Sequence, residues 1–382
     1  MSTSGFLPSS DGRDHRELRH NVRAFLAETL GTGFGSAQRA RSWNGFDAAF
    51  SAQLGARGWL GMTLPREYGG HGRSALERYV VVEELLAAGA PVAAHWIADR
   101  QSAPLLLLHG TEEQRRSILP RIAAGTCFFC IGMSEPDSGS DLAAARTTAV
   151  AVDGGFRVNG TKLWTSNAHV AHYMILFCRT GKSEDRHGGT SQLLIDMTTP
   201  GITVSPVLDI AGEHHFNEVN FTDVFVSQNA LIGKQGDGWA QVMGELAFER
   251  SGPDRFLSSF ALLNELLFVL GAHPDKAALR SVGRLTAHLM VLRAMSMSVA
   301  GMLSRGENPS HQATIVKDLG ALLEQSIPEI ARSLVACEPA PGAGDNLAGV
   351  LARTLLSAPS FSLRGGTREI LRGIIARGLG LR

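Results

Sequence analysis

The chain has little cysteine and no excess of charge, and each shortage excludes a class of protein. Its cysteines, Cys127, Cys130, Cys178 and Cys337, are too few and too scattered for a disulfide-rich scaffold. The 36 basic and 36 acidic side chains balance, so there is no general field to recruit nucleic acid or an anionic membrane. We therefore expect neither as a partner.

Cys127 and Cys130 have the spacing of a redox or metal-binding pair. They lie, however, in the nearly continuous apolar run 127–133, which favours a buried strand. Residues three apart on a strand point to opposite faces, so the two thiols would not share a ligand. We interpret them as core cysteines, for which a reducing cytoplasm is the simplest setting.

Long apolar runs are scarce as well. Residues 1–20 are polar, which argues against a secretory signal. The most apolar stretch, 256–272, is interrupted by Asn264 and Glu265 and is followed by His273 and Pro274. It predicts a buried helix rather than a membrane span.

The character of the sequence changes twice along the chain. Helical spacing of apolar residues marks the first third, short β-rich runs separated by turn residues follow from about residue 126, and helical spacing returns after about residue 233. This order predicts a helical domain at 1–125, a β domain at 126–232 and a second helical domain at 233–382. Within the β region, Asn159-Gly160 predicts a hairpin turn.

Three motifs carry a resemblance. They are Met133-Ser134-Glu135-Pro136-Asp137-Ser138-Gly139-Ser140-Asp141-Leu142, then Gly160-Thr161-Lys162-Leu163-Trp164-Thr165-Ser166-Asn167, then Gly366-Thr367-Arg368-Glu369-Ile370. With matches at 58–60, 64–70 and 374–377, they resemble the acyl-CoA dehydrogenase family over nearly the whole chain. The resemblance implies a mainly α fold: an N-terminal helical domain, a small antiparallel β-sheet or barrel, and a C-terminal four-helix bundle.

The resemblance also implies a reaction, the FAD-dependent α,β-dehydrogenation of an acyl-CoA to a 2-enoyl-CoA. Such chemistry needs a base beside Cα, a hydride acceptor beside Cβ, and donors to the thioester oxygen. In the family the base comes from a central helix or from a loop before a Gly-Thr pair. Here the loop position is Gly365 and the helix position is Glu249, so the resemblance implies Glu249 as the base.

The residues around Glu249 allow other interpretations. Gly252 and Pro253 predict a helix break just after Glu249, which would project its carboxylate into a cavity. Alternatively, Glu249 pairs with Arg250 on a solvated face. Glu245, one turn earlier on the same face, is a second candidate base, which we rank below Glu249 because the motif selects Glu249.

By the same resemblance, a set of residues contacts FAD: Met133, Ser134, Ser140, Trp164, Thr165, Ser166, Thr367, Arg368 and Glu369. Ser140, Arg250 and Gly366 would contact the substrate. Independently, two glycines followed by Thr367 predict a close backbone approach and then a capped helix. His214, His215 and His311 match no established ligand spacing, so we assign no metal.

One departure from the family leaves alternatives open. Many relatives carry an Arg-x-x-Phe-Gly motif that holds the cofactor across a dimer interface, but residues 278–284 here lack the aromatic residue. The chain could therefore be a partner subunit of a hetero-oligomeric dehydrogenase with little flavin of its own. It could also act on a carrier-protein thioester or on a substrate that is not a thioester. The resemblance otherwise implies a homodimer or homotetramer, with a heterotetramer as an alternative, and an electron-transfer flavoprotein as electron acceptor.

Overall fold

Helices form both ends of the chain and strands form its middle, in the order that the sequence predicts. The structure is a computed structural model, and it describes residues 5–7 and 15–381. The helices are α1 (Arg16–Leu30), α2 (Ser36–Arg39), α3 (Ala48–Ala56), α4 (Ala75–Ala87), α5 (Ala93–Ile97), α6 (Ala103–His109), α7 (Glu112–Ala123), α8 (Gly238–Glu249), α9 (Phe260–Leu270), α10 (Lys276–Ser304), α11 (Ser310–Leu334), α12 (Leu347–Phe361) and α13 (Arg368–Gly378). The strands are β1 (Phe129–Gly132), β2 (Thr148–Val152), β3 (Gly155–Ser166), β4 (Tyr173–Arg179), β5 (Thr190–Asp196), β6 (Ile202–Leu208), β7 (His214–Ser227) and β8 (Leu231–Ile232). Of the polar segment 1–20, on which the expectation of no secretory signal depends, residues 1–4 and 8–14 lie outside the described part.

Contacts divide the chain into two units. The helical unit comprises Met1–Phe46, Arg73–Val92 and Leu246–Arg382, and the sheet unit comprises Asp47–Gly72 and Ala93–Glu245. Helix α8 begins in the sheet unit and ends in the helical unit. The three-domain division at 1–125, 126–232 and 233–382 stays a prediction.

The sheet unit is built on one eight-stranded sheet. The strand order is β6-β7-β3-β2-β4-β5-β8, with β1 paired to β4 outside this path, so the sheet is open rather than closed into a barrel. Most neighbours are antiparallel, as expected, but β4 runs parallel to both β1 and β2. β4 is buried almost throughout, which matches its apolar sequence.

The predicted hairpin at Asn159-Gly160 is wrong. β3 continues through these residues, and the turn from β2 lies at Asp153-Gly154, where Val152 pairs with Gly155. Gly160 instead sits at a bulge opposite β7, with φ +145°. A Cβ there would lie 2.5 to 2.8 Å from Thr147 atoms, so the glycine permits a close approach of neighbouring chain segments rather than a turn.

The core of the helical unit lies around α11. α9, α10, α12 and α13 all pack against it, while α4 packs against α1 and α10. α11 begins after Pro309 and buries one side along its 25 residues. The packing of α9 to α12 on one another agrees with the four-helix bundle that the resemblance implies.

Two helices bear on the membrane question. α10 is long and apolar enough to cross a membrane by length and composition alone, but half of its most apolar window is buried inside the structure, as in a core helix. α9 covers most of the apolar stretch 256–272 and is buried on one side only, since Leu262, Leu263 and Leu266 are buried and Phe268 is 83% exposed. The prediction of a buried helix is therefore only half right.

Cys127 and Cys130 are core residues, as predicted, and Cys178 is one as well. Cys127, Cys130 and Cys178 are unpaired and buried. Burial raises the pKa of the Cys127 thiol to about 11 and that of the Cys178 thiol to about 12, so neither is a ready nucleophile near neutral pH.

Candidate active site

Glu249 is the last residue of α8. The helix ends there because Gly252 and Pro253 follow, and Pro253 opens a short 3₁₀ turn that reaches Arg255. This confirms the predicted break. The Glu249 side chain is 13% exposed. A carboxylate at a helix C-terminus faces unsatisfied carbonyl oxygens, so a cation nearby stabilises its ionised form.

That cation is Arg255, which sequence reasoning missed. Its Nη2 donates to Glu249 Oε1 at 2.8 Å, and its Nε donates to the Glu249 carbonyl oxygen at 2.9 Å. The guanidinium is 1% exposed and also lies 3.0 Å from Asp254 Oδ2. The pairing of Glu249 with Arg250 on a solvated face is therefore not what the structure shows.

The two positions that the resemblance implies as alternatives for the base lie side by side. A Cβ placed on Gly365 would lie 3.2 Å from Glu249 Oε1 and 3.2 Å from Arg255 Nη2. Gly365 has φ +72° and Gly366 has φ +100°, values that side chains rarely adopt. The loop therefore leaves the space beside the carboxylate without a side chain.

Arg250 joins α8 to this loop. Its Nε donates to the Gly365 carbonyl oxygen at 2.9 Å, and its Nη1 lies 3.4 Å from Thr314 Oγ1 on α11. Arg250 is 4% exposed, and burial lowers the pKa of its guanidinium. The predicted substrate residues Arg250 and Gly366 are thus neighbours, because a Cβ on Gly366 would lie 3.1 Å from Arg250 Nη2.

The turn continues into α13 as predicted. Thr367 caps the helix through its hydroxyl, which accepts from the Ile370 N–H. Arg368 turns back to α11 and donates from Nε to Asp318 Oδ1 at 2.8 Å, whereas Glu369 is exposed. Arg368 Nη2 is buried, and no residue of the described chain accepts a hydrogen bond from it. That donor is available to an anionic group.

More buried charges surround Glu249 and Arg255. Arg364 donates to Glu324 Oε2 at 2.9 Å and stacks on Trp43, with Cζ 4.1 Å from the ring centroid. Lys317 Nζ donates to the Phe361 carbonyl oxygen at 2.6 Å. Burial, together with the like charges of Arg255 and Arg364, lowers the pKa of Lys317 to about 7.

In the sheet unit, the loop 133–141 is fixed by Glu135. This buried carboxylate accepts from the Arg146 N–H at 2.6 Å, from the Thr147 N–H at 2.9 Å and from Lys162 Nζ at 2.8 Å. Burial acts to raise the pKa of Glu135, but the charge of Lys162 and these donors outweigh it, and the pKa is lowered. Glu135 therefore stays ionised inside the sheet unit.

Lys162 brings two of the predicted motifs together. Its Nζ donates to the Met133 carbonyl oxygen at 2.9 Å, and the neighbouring Leu163 N–H donates to the Ser134 carbonyl oxygen at 2.9 Å. The lysine is fully buried. Met133 and Ser134 are half-buried beside the strand that carries Trp164. Ser140 is exposed at the far end of the loop, where the structure shows no contact that joins it to this group.

Trp164 is held in an unusual conformation. It has φ +62° at a bulge in β3, its side chain is 54% exposed, and its ring meets Phe216 edge-on at 5.7 Å. A bulky residue in the left-handed region is strained, and such strain is concentrated at functional sites. Ser166 is half-buried two residues on. Thr165 points inward at 1% exposure, and its hydroxyl has no hydrogen-bond partner in the described part of the chain.

Glu245, the second candidate base, is held differently. Its two carboxylate oxygens accept from Gln192 Nε2 at 2.7 Å and from Gln101 Nε2 at 2.9 Å. All three side chains are buried, and Gln101 belongs to a π-helical turn, Ala98–Ser102. With both oxygens occupied by amide donors, Glu245 is suited to joining elements rather than to taking up a proton.

The histidines form pairs rather than a metal site. His214 hydrogen-bonds Asn217 at 2.8 Å and stacks on His169 with centroids 4.1 Å apart, while His215 Nδ1 lies 3.6 Å from Asp209 Oδ2. Within residues 5–7 and 15–381, no three His, Cys, Asp or Glu side chains come together to hold a metal ion.

Three family models match successive segments of the chain, from its N-terminal part to its C-terminal part. Models of the acyl-CoA dehydrogenase N-terminal, middle and C-terminal domains match residues 12–126, 130–224 and 272–380. Acyl-CoA dehydrogenase IpdE1 of Mycobacterium tuberculosis is 34% identical over 382 residues, covering 97% of this chain and 98% of that protein.

Two solved structures have a similar fold over nearly the whole chain. The Tcur3481-Tcur3483 steroid ACAD has a TM-score of 0.84 at 27% identity and covers 97% of this chain and 98% of its own. The ChsE4-ChsE5 complex from Mycobacterium tuberculosis has a TM-score of 0.83 at 30% identity, with 98% and 100% covered.

These matches and the fold define a flavin-dependent oxidoreductase. The chain belongs to the acyl-CoA dehydrogenase family. Its fold class is confirmed, and its activity is the FAD-dependent dehydrogenation of an acyl group.

The sheet unit fits a flavin. An exposed, strained tryptophan offers a flat aromatic surface, and Met133 and Ser134 are held beside its strand by a buried ion pair. When bound, FAD supplies the acceptor for the hydride that leaves Cβ.

Proposed function

We propose that Glu249 is the base that removes the α-proton of the acyl thioester. The observation that supports this most strongly is the position of Gly365. This residue occupies the other place that the resemblance implies for a base, it has no carboxylate, and it lies beside Glu249 Oε1. Glu245 is a weaker candidate, because both of its oxygens already accept hydrogen bonds.

The remaining roles are proposed from the resemblance. Trp164 packs against the flavin, Ser166 donates toward its reactive edge, and Met133, Ser134, Ser140 and Thr165 line the ring or the region between ring and substrate. Thr367, Arg368 and Glu369 contact the cofactor from the N-terminus of α13, where exposed N–H groups and the unpaired Arg368 Nη2 favour an anion. Gly366 and Ser140 contact the thioester. Arg250 also contacts the substrate, from its position against the Gly365 loop.

A spectral titration of variants tests the base. Wild-type holoenzyme, Glu249→Gln and Glu245→Gln are each titrated anaerobically with an acyl-CoA that bleaches the wild-type flavin. We expect Glu249→Gln to keep its flavin and to lose bleaching and turnover. The folded fraction of Glu245→Gln should keep both bleaching and turnover. Turnover by Glu249→Gln at the wild-type rate would contradict the assignment.

The comparisons suggest a substrate class. A neighbour that is 27% identical is described as a steroid ACAD, so we infer a thioester whose acyl group carries a fused ring system. A panel of straight-chain, branched and ring-bearing acyl-CoA thioesters tests this. Bleaching by the straight chains alone would contradict it. A flavin that only a carrier-protein thioester bleaches would favour the carrier-bound alternative.

We also propose that the chain works in an oligomer with a second, related chain. Both solved neighbours are described by pairs of chains, and residues 278–284 lack the aromatic residue of the usual cofactor-holding motif. Phe268 and Met290, on α9 and α10, are 83% and 67% exposed. A homo-oligomer that binds one FAD per chain would contradict this proposal. We expect an electron-transfer flavoprotein as acceptor and a reducing cytoplasm as location, which suits three buried free thiols.

A further inference from the structure

Arg255 clamps Glu249 at two points. One guanidinium edge reaches the Glu249 carboxylate at 2.8 Å and the Glu249 carbonyl oxygen at 2.9 Å. The side chain is 1% exposed, so water does not screen the contact. Because the same planar group holds main chain and side chain, the carboxylate is fixed relative to the end of α8.

Several charged groups form a cluster with Glu249 and Arg255. They are Arg250 at the end of α8, Asp254 in the 3₁₀ turn, Lys317 and Glu324 on α11, and Arg364 in the loop before Gly365. Of these groups, Asp254 offsets the charge of Arg255 directly, through its Oδ2 at 3.0 Å from Nε. Arg255 and Asp254 therefore contribute opposite charges next to Glu249, in addition to the charges of Arg250 and Lys317.

We propose that Arg255 is a positioning residue, which presents the Glu249 carboxylate to the substrate ionised and in one orientation. This inference rests on the proposed role of Glu249 as the base. Arg250 is not equivalent, since its guanidinium is directed to the Gly365 carbonyl oxygen and to Thr314. Arg364 is not equivalent either, since it is directed to Glu324.

Two variants should move the enzyme's pH profile in opposite directions. A neighbouring cation favours the ionised form of a carboxyl group. Arg255→Gln removes that cation, so the acidic limb of kcat/KM moves to higher pH, by about one to three pH units. Asp254→Asn removes the charge that offsets Arg255, so the limb moves to lower pH. A residue with a purely structural role would lower kcat/KM at every pH and leave the limb in place.

Two further variants serve as controls. Arg364→Lys alters a buried guanidinium of the same cluster that is directed to Glu324, and it leaves the limb unmoved. Arg255→Lys keeps the charge but reaches one acceptor rather than two, so the limb stays near its wild-type position while kcat falls. The series is repeated with Lys317→Met, because the amine of Lys317 itself titrates near neutrality.

A direct titration separates this inference from the proposed function. Holoenzyme labelled with ¹³C at glutamate carboxyl carbons gives a resonance that Glu249→Gln removes, and its midpoint is followed in each variant. If Glu249→Gln keeps turnover, the base assignment and this inference both fail. If Glu249→Gln is inactive but neither limb nor resonance moves in Arg255→Gln, only the inference is overturned. If Arg255→Gln does not fold, Asp254→Asn and Arg255→Lys test the inference instead. The inference is overturned if the acidic limb does not move to lower pH in Asp254→Asn. It is also overturned if the limb moves far to higher pH in Arg255→Lys.

Discussion

Gly365 lies so close to Glu249 that a Cβ on the glycine would be 3.2 Å from Glu249 Oε1, which is tighter than an ordinary van der Waals contact. The two residues are far apart in sequence and come from a helix end and a loop. Arg250 secures it, since its guanidinium holds the Gly365 carbonyl oxygen from the position next to Glu249. The Glu249 carboxylate and the glycine loop are therefore packed together as one structural unit.

Gly365→Ala tests whether this packing requires glycine at position 365. The backbone has φ +72°, where a side chain is strained, and the added methyl group presses on Glu249 and Arg255. We expect a loss of about 1–3 kcal/mol in the free energy of unfolding and a lower kcat. Gly373→Ala, in the middle of α13, is the control, because its Cβ would meet only Arg377 at 3.9 Å. That control should be neutral or stabilising by about 0.5–1 kcal/mol in a urea titration. Equal effects of the two variants would contradict the argument.

Lys317 gives stability a specific pH dependence. Its pKa is lowered from 10.5 to about 7, so between these values the unfolded chain binds more protons at this position than the folded chain does. The contribution of Lys317 to stability therefore rises as pH increases from about 7 toward 10. Lys317→Met removes the titrating group, so the free energy of unfolding should rise less steeply with pH than in the wild type. Urea titrations at pH 6.5, 7.5 and 8.5 measure the difference, and parallel curves would count against the burial of a titrating amine.

The Glu135–Lys162 pair holds the loop that carries Met133 and Ser134. Lys162→Met leaves the Glu135 carboxylate buried and without its cation, which costs about 3–5 kcal/mol. We expect weaker FAD binding and lower stability, measured by flavin fluorescence and urea unfolding. Adding Glu135→Gln to Lys162→Met removes the unpaired charge and should restore part of the stability. If the double variant is as unstable as the single one, the ion pair is not what fixes the loop.

The sequence predicted the features that local chemistry decides. Gly252-Pro253 ends α8 after Glu249, and Thr367 caps α13, because each depends only on neighbouring residues. The Asn159-Gly160 turn failed because the close approach of Thr147 determines the use of Gly160, and no local pattern reports that contact. The parallel pairing of β1 with β4 was missed for the same reason.

The site was predictable only as far as motifs reach. Glu249, Arg250 and Gly366 were found by resemblance, and the structure brings them together. Arg255, Lys317 and Arg364 were missed because a buried arginine or lysine has the same sequence signature as a solvated one. Their burial identifies these residues, and the partners of Lys317 and Arg364 lie 44 and 40 residues away in the sequence.

The contact between Gly365 and Glu249 also constrains how such enzymes can diverge. A descendant that transferred its carboxylate from the helix to the loop would need two substitutions. One intermediate carries no base, and the other crowds two carboxylates into the space of one, where they cannot both be ionised. The carboxylate can therefore move between these two positions without disturbing the site only if both substitutions occur together.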